Sequence, residues 1–180
     1  MATALFITRK QLVQNSILDG NVDTDKFIQF IKIAQEIHIR NYLGTDLYNK
    51  ISTDIAASNL SGAYLTLVRT YIQPMLIHYA MADYIPFAAY QIKNGGVFKH
   101  TSENAETVNK NEIDYLVKKE RDIAEYYTRR FIDFMSFNQS SYPEYTSNTN
   151  EDIDPDKDSL FNGWVLWKEK ANQKTKMCRN

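Results

Sequence analysis

The chain contains a single cysteine, Cys178. With no intramolecular partner for it, a disulfide framework is excluded and a reducing interior fits. Proline and glycine are nearly as scarce, at 4 and 6 in 180 residues. Both punctuate turns, so their scarcity beside long periodic stretches points to an all-α fold. No apolar run approaches the ~18 residues that a membrane span needs. The opening MATALFITRK lacks a basic start followed by a long apolar core, so neither a span nor a signal peptide is expected. Excess charge of one sign is missing too. The 21 basic and 22 acidic side chains leave a net −1, which argues against a dedicated nucleic-acid binder held by a strong positive field. There is no Gly-rich phosphate loop, no HExxH, no CxxC and no GxSxG. What remains is 180 residues with 43% hydrophobic content, enough for one domain with a real core.

The most informative stretch is Asn21–Ile51. Asp23 can cap the first backbone N–H groups of a helix, and Asp25 adds negative charge at the favourable end of its dipole. Phe27, Phe30, Ile31, Ala34 and Ile37 share one face, and Lys26, Lys32, Glu36 and Arg40 the other. Leu43-Gly44 reads as a stop, because glycine suits the left-handed residue that ends a helix. Thr45 then caps Asp46–Ile55. Ile28, Ile33 and Ile39 lie outside the main stripe and widen the apolar arc well beyond the ~100° that one neighbour requires. Such a helix is either central in the core or covered on one flank by another molecule. Those three isoleucines are the candidate subunit interface.

Elsewhere, Thr8 caps a short helix over Arg9–Ser16. Ala56–Gly62 is a loop, and a long helix from about Ala63 to Tyr90 carries Leu65, Val68, Ile72, Met75, Leu76 and Tyr79 on one face. Pro74 should kink it and Pro86 kink or end it. Asn94-Gly95-Gly96, between short alternating segments, predicts a hairpin spanning Lys93, Asn94, Gly95, Gly96, Val97, Phe98 and Lys99. Asn111 caps a last long helix on which Ile113, Leu116, Glu120, Ile123, Tyr127, Phe131 and Phe134 recur every three or four residues. Residues 138–159, rich in Ser, Asn, Asp and Pro, read as a flexible linker. Beyond it, Leu160, Phe161, Trp164 and Trp167 form an aromatic patch holding both tryptophans. These are the candidate partner-binding anchors, since Trp buries a large area with few rotatable bonds. The competing reading folds them back onto the bundle. The predicted fold is therefore an all-α bundle of about five helices with one small β-hairpin and an extended C-terminal arm, divided into 1–137 and 138–180.

Chemistry-bearing constellations are weak. His38, Asp83 and Glu120 fall on apolar stripes, yet neither carboxylate has the histidine three residues on that a helical di-metal site uses. Pairing with Arg121, Arg129 or Arg130 is the plainer reading. His78 and His100 add no ligand set. The run Asp152, Asp154, Asp156, Asp158 has the spacing of a calcium loop, but Lys157 and Gly163 stand where glycine and a bidentate glutamate belong. The basic residues of the last helix are interleaved with acids, the pattern of a solvated face. No catalytic residue, metal or cofactor is expected.

Asn21-Val22-Asp23, then Phe27, Ile31, Ala34-Gln35 and Ile37, then Leu43-Gly44 and Leu47-Tyr48, resemble the helical head–tail connector (adaptor) proteins of tailed bacteriophages, most of all those of crAss-like and other Bacteroides phages. The likeness continues through Tyr71-Ile72-Gln73-Pro74, Asn94-Gly95-Gly96-Val97 and Tyr142-Pro143-Glu144-Tyr145, so it covers roughly Leu5–Tyr145. These are packing and turn residues. The resemblance implies a non-enzymatic virion protein, assembled in the bacterial host cytoplasm and located in the virion neck. Its implied partners are copies of itself in a ring of about twelve, the portal protein, the next neck or tail ring, and DNA passing through the channel. No membrane is involved. The alternatives are another neck protein (stopper or tail-completion) and a small cellular helical regulatory or DNA-associated protein.

Overall fold

The computed structural model describes residues 4–18, 24–88, 90–93, 96–99, 109–147, 149 and 152–157. The chain is mostly helical, as expected. Helix α1 (Arg9–Gln14) starts at Thr8, whose hydroxyl accepts from the Gln11 N–H while the Gln11 side chain accepts from the Thr8 N–H, a reciprocal cap. Helix α2 (Thr24–Ala34) passes into a π turn (Gln35–Ile39) and on into α3 (Arg40–Ala56). Helix α4 (Gly62–Leu67) likewise passes through a second π turn (Val68–Ile72) into α5 (Gln73–Ala88). Pro74 explains the second. It has no N–H to donate to residue 70, and its ring would crowd that carbonyl, so the turn before it widens. Pro86 is carried inside α5, which ends two residues later.

Strands β1 (Tyr90–Lys93) and β2 (Gly96–Lys99) pair antiparallel, Tyr90 opposite Lys99 and Lys93 opposite Gly96. Asn94 and Gly95 lie outside the described residues. Helix α6 (Lys110–Asn138) is capped by Asn109, not Asn111, again reciprocally with the residue at the third position, Glu112. A 3₁₀ turn (Gln139–Ser141) and α7 (Pro143–Ser147) follow.

Helix α5 is the centre of the molecule, with eight of its residues buried. His78 and Phe87, nine residues apart, point to opposite sides of it. His78 meets Glu120 of α6 and Phe87 meets Phe30 of α2, so α2 and α6 flank it. The face α6 turns to α5 is rotated from the expected stripe. Ala124 and Thr128 are buried with Phe131 and Met135, while Leu116 and Ile123 are 37% and 40% exposed. Small side chains let the two axes approach closely, and that decides which face goes inward.

The flexible-linker reading of 138–159 does not hold where the chain is described. Tyr142 and Tyr145 are 2% exposed. The Tyr142 hydroxyl donates to the Ala63 carbonyl at 3.1 Å, and that of Tyr64 donates to Glu144 at 2.6 Å. Polar composition concealed two aromatic anchors, which bury enough apolar surface to offset ordering the segment.

Candidate functional site

Three features meet where α3 breaks. Gly44 has φ +73° and ψ 164° in the middle of the α3 span, a combination accessible essentially to glycine alone. The break leaves backbone groups without helical partners, and residues 152–156 supply them. The Thr45 N–H donates to the Ile153 carbonyl at 3.0 Å, and the Asp156 N–H to the Asn41 carbonyl at 2.9 Å. The Thr45 hydroxyl accepts from the Ile153 N–H and donates to Asp152, so it is engaged by this strap. Pro155 lies so close over Gly44 that a Cβ there would be 2.6 Å from its Cγ and Cδ.

A polar network runs from the strap into the core. Arg40 donates to Asp152 at 2.6 Å and to Glu36 at 3.1 Å. Glu36 accepts from the Tyr48 hydroxyl at 2.7 Å, which in turn accepts from the Gln35 amide. Gln35 is fully buried inside the first π turn and also accepts from the Phe6 N–H and donates to the Ala4 carbonyl. Gln73 takes the Phe6 carbonyl on the other side, and Gln11 donates to Gln73. Two glutamines thus hold one backbone unit of the N-terminal segment, whose Phe6 ring packs on Tyr48. None of this was read from the sequence beyond the presence of Gln35 and Gln73 in the resembling motifs. The network's longest links join partners 29 to 112 residues apart, which leave no local signal.

The proposed interface isoleucines separate. Ile33 is 42% exposed, Ile28 is half-buried, and Ile39 is 0% exposed. Ile28 lines a small apolar cavity of about 20 Å³ with Leu12, Val13 and Phe27, under α1. Ile39 is therefore core and cannot touch a neighbour. Ile37, placed in the core by a regular 3.6-residue period, is 60% exposed. The π turn explains both. It adds a residue to the turn, so the buried positions run Ala34, Gln35, Ile39 rather than Ala34, Ile37.

The carboxylates on apolar stripes pair with histidines rather than arginines. His78 Nδ1 lies 2.7 Å from Glu120, and its ring stacks on Tyr127. His38 lies 3.5 Å from Asp83 and stacks on Tyr79 at 4.0 Å. At that distance the His38–Asp83 contact is electrostatic, and Asp83 Oδ2 makes no hydrogen bond. Among the described residues no group of three or more His, Cys, Asp or Glu could hold a metal ion, and none of their helices is long and apolar enough to cross a membrane. Asp152, first of the acidic run, is bound to Arg40 and Thr45. Leu160, Phe161, Trp164 and Trp167 lie outside the described residues.

Buried tyrosines carry the unusual acid–base behaviour. Burial pushes Tyr48 up to about 12, reinforced by Glu36 and opposed by the Gln35 bond. Burial also pushes Tyr145 up to about 12, with Asp156 adding to it. Tyr42, Tyr64 and Tyr142 are raised by burial as well. An unfolded tyrosine ionises near 10, so between pH 10 and 12 the unfolded chain sheds protons that the native one keeps. The stability these groups contribute is complete below pH 10 and disappears as pH climbs through 12. The part of the tyrosinate absorbance that comes from the buried rings should appear together with loss of helical circular dichroism in that window. Ionisation of all twelve tyrosines with the helices intact would contradict the burial.

A family model matches residues 39–155, well over half the chain. The chain belongs to DUF6712, a family of unknown function. The match runs from Ile39, the last residue of the first π turn, to Pro155, so the DUF6712 region contains Gly44 and the strap as far as the proline seated on it. Comparison with curated proteins and with solved structures gives no match.

Proposed function

We propose that this protein is a non-enzymatic structural component of a phage virion, a ring between portal and tail that extends the DNA channel and presents the tail attachment surface. One observation carries the reading beyond the sequence resemblance. Helix α2 and its π turn bury Phe27, Ile31, Ala34 and Ile39 while leaving Ile33 and Ile37 outside. A helix that is apolar on its outer flank as well is suited to a cyclic ring, where one face of a subunit meets a different face of the next. The β1–β2 hairpin would serve as a contact to a neighbouring subunit or a channel-facing loop. The arm would dock on the portal or the adjacent ring through Trp164 and Trp167. On this reading the arm would depart from the Gly44 junction rather than from Asn138, since Asp156 is bonded to Asn41.

Negative-stain imaging of the purified chain, alone and with a portal protein, should show rings in at least one case. The Trp164→Ala, Trp167→Ala double variant should fold and form the same subunit contacts but lose portal binding. Absence of rings under both conditions would refute the assignment. Rings that bind the portal normally without the tryptophans would remove the arm from it.

A further inference from the structure

The strap over Gly44 and the N-terminal segment Ala4–Ile7 lie at opposite ends of the polar network, and Arg40 is its hub. The guanidinium is held between two carboxylates, Asp152 at 2.6 Å and Glu36 at 3.1 Å, and lies over the Tyr48 ring at 5.5 Å. Phe6 packs on the same ring, with centroids 5.2 Å apart. The hydrogens along the way are committed. The Tyr48 hydroxyl gives its one hydrogen to Glu36, so it can only accept from Gln35. The Gln35 amide gives its two hydrogens to Tyr48 and the Ala4 carbonyl, and its oxygen takes the Phe6 N–H. One arrangement satisfies all of these groups at once, so a shift at Arg40 reaches Gln35 through Glu36 and Tyr48.

The strap is the weakly held end. None of residues 152–157 is buried, and Asp152, Asp154 and Lys157 are exposed. A segment with so little buried apolar surface opens at a fraction of the free energy of global unfolding. Its closed position also carries a local penalty, because Arg40 Nε is buried without a hydrogen-bond partner. Turning Arg40 out to water would satisfy that nitrogen, and Asp152 holds the guanidinium in.

We infer that the strap is a releasable latch on the N-terminal segment. When it is closed, Asp152 holds Arg40 against Glu36 and the Tyr48 ring, and the network holds Ala4–Ile7. When it is open, Arg40 turns to water, Glu36 loses its cation, and the bonds running back through Tyr48 to Gln35 slacken. Coupling of this kind is reciprocal. A partner that lifts residues 152–157 loosens the N-terminal segment, and one that takes hold of the N-terminal segment loosens the strap. The latch does not depend on the ring assignment.

Hydrogen exchange read at single amides tests it on the full-length protein, for wild type, Asp152→Ala, Arg40→Met and the double variant. Asp152 is exposed, and methionine keeps the helix preference of arginine, so circular dichroism should show all four folded. Arg40→Lys, which cannot bridge both carboxylates, replaces Arg40→Met if that variant fails to fold. Asp152→Ala should speed exchange at Ile153 and Asp156 and also, by about fivefold or more, at Phe6. Arg40→Met should speed exchange at Phe6 by a similar factor. Added to Arg40→Met, Asp152→Ala should change Phe6 by less than about twofold, because the link is already gone. Phe6 exchange that is unchanged in Asp152→Ala, or raised only by the factor seen across α6, would overturn the latch. A full effect of Asp152→Ala in the Arg40→Met background would overturn it too, since the coupling would then bypass Arg40.

Discussion

Gly44→Ala is expected to destabilise the protein by about 3 kcal/mol or more, combining a backbone conformation that only glycine adopts readily with steric overlap. A methyl group at this position would sit 2.6 Å from two ring carbons of Pro155. For a chain of this size the melting temperature should fall by roughly 6–12 °C. Hydrogen exchange at 152–156 should rise at the same time, because those amides are protected by Asn41 and Thr45. The Gly44→Ala, Pro155→Ala double variant separates the causes. It removes the overlap and keeps the backbone strain, so it should recover part of the loss. An unchanged melting temperature in the single variant would show that break and strap do not depend on each other.

A comparable effect is expected from Ile39→Glu, and almost none from Ile37→Glu two residues away. Ile39 is wholly enclosed, and a carboxylate there would have no partner. The loss should exceed about 4 kcal/mol, a large part of a typical domain's total stability. Ile37 is 60% exposed, and a charge there should change folding stability by no more than about 0.5 kcal/mol. Urea denaturation of the two variants therefore reads the register of the π turn directly. If Ile37→Glu unfolds the protein and Ile39→Glu does not, the helix is regular and the π turn is absent. Within the ring proposal, Ile37→Glu should also impair assembly while leaving the monomer folded.

Several elements were legible from local chemistry alone. Thr8 as a cap, the turn before Gly62, the periodic faces of the long helices and the special role of Gly44 follow from rules that act within four or five residues. The misreadings have separate causes. A fixed 3.6-residue period assigned Ile37 inward and Ile39 outward, and the period is not fixed at residues 35–39. The larger side chains of α6 suggest one stripe, whereas close packing on α5 selects the small Ala124 and Thr128. The average polarity of residues 138–159 gives little weight to two tyrosines that can anchor a segment.

By itself the sequence determined that the chain is mainly helical, cannot form an intramolecular disulfide, lacks recognisable catalytic motifs and has a helix stop at Gly44. These are consequences of backbone preference and residue inventory. Only the tertiary structure decided what fills that break, which carboxylate meets which histidine, and which isoleucines stay outside. The partners of Arg40 and Thr45 lie more than 100 residues away. A hydrogen bond between such residues forms because the surrounding packing brings its two ends together, and no local preference records it.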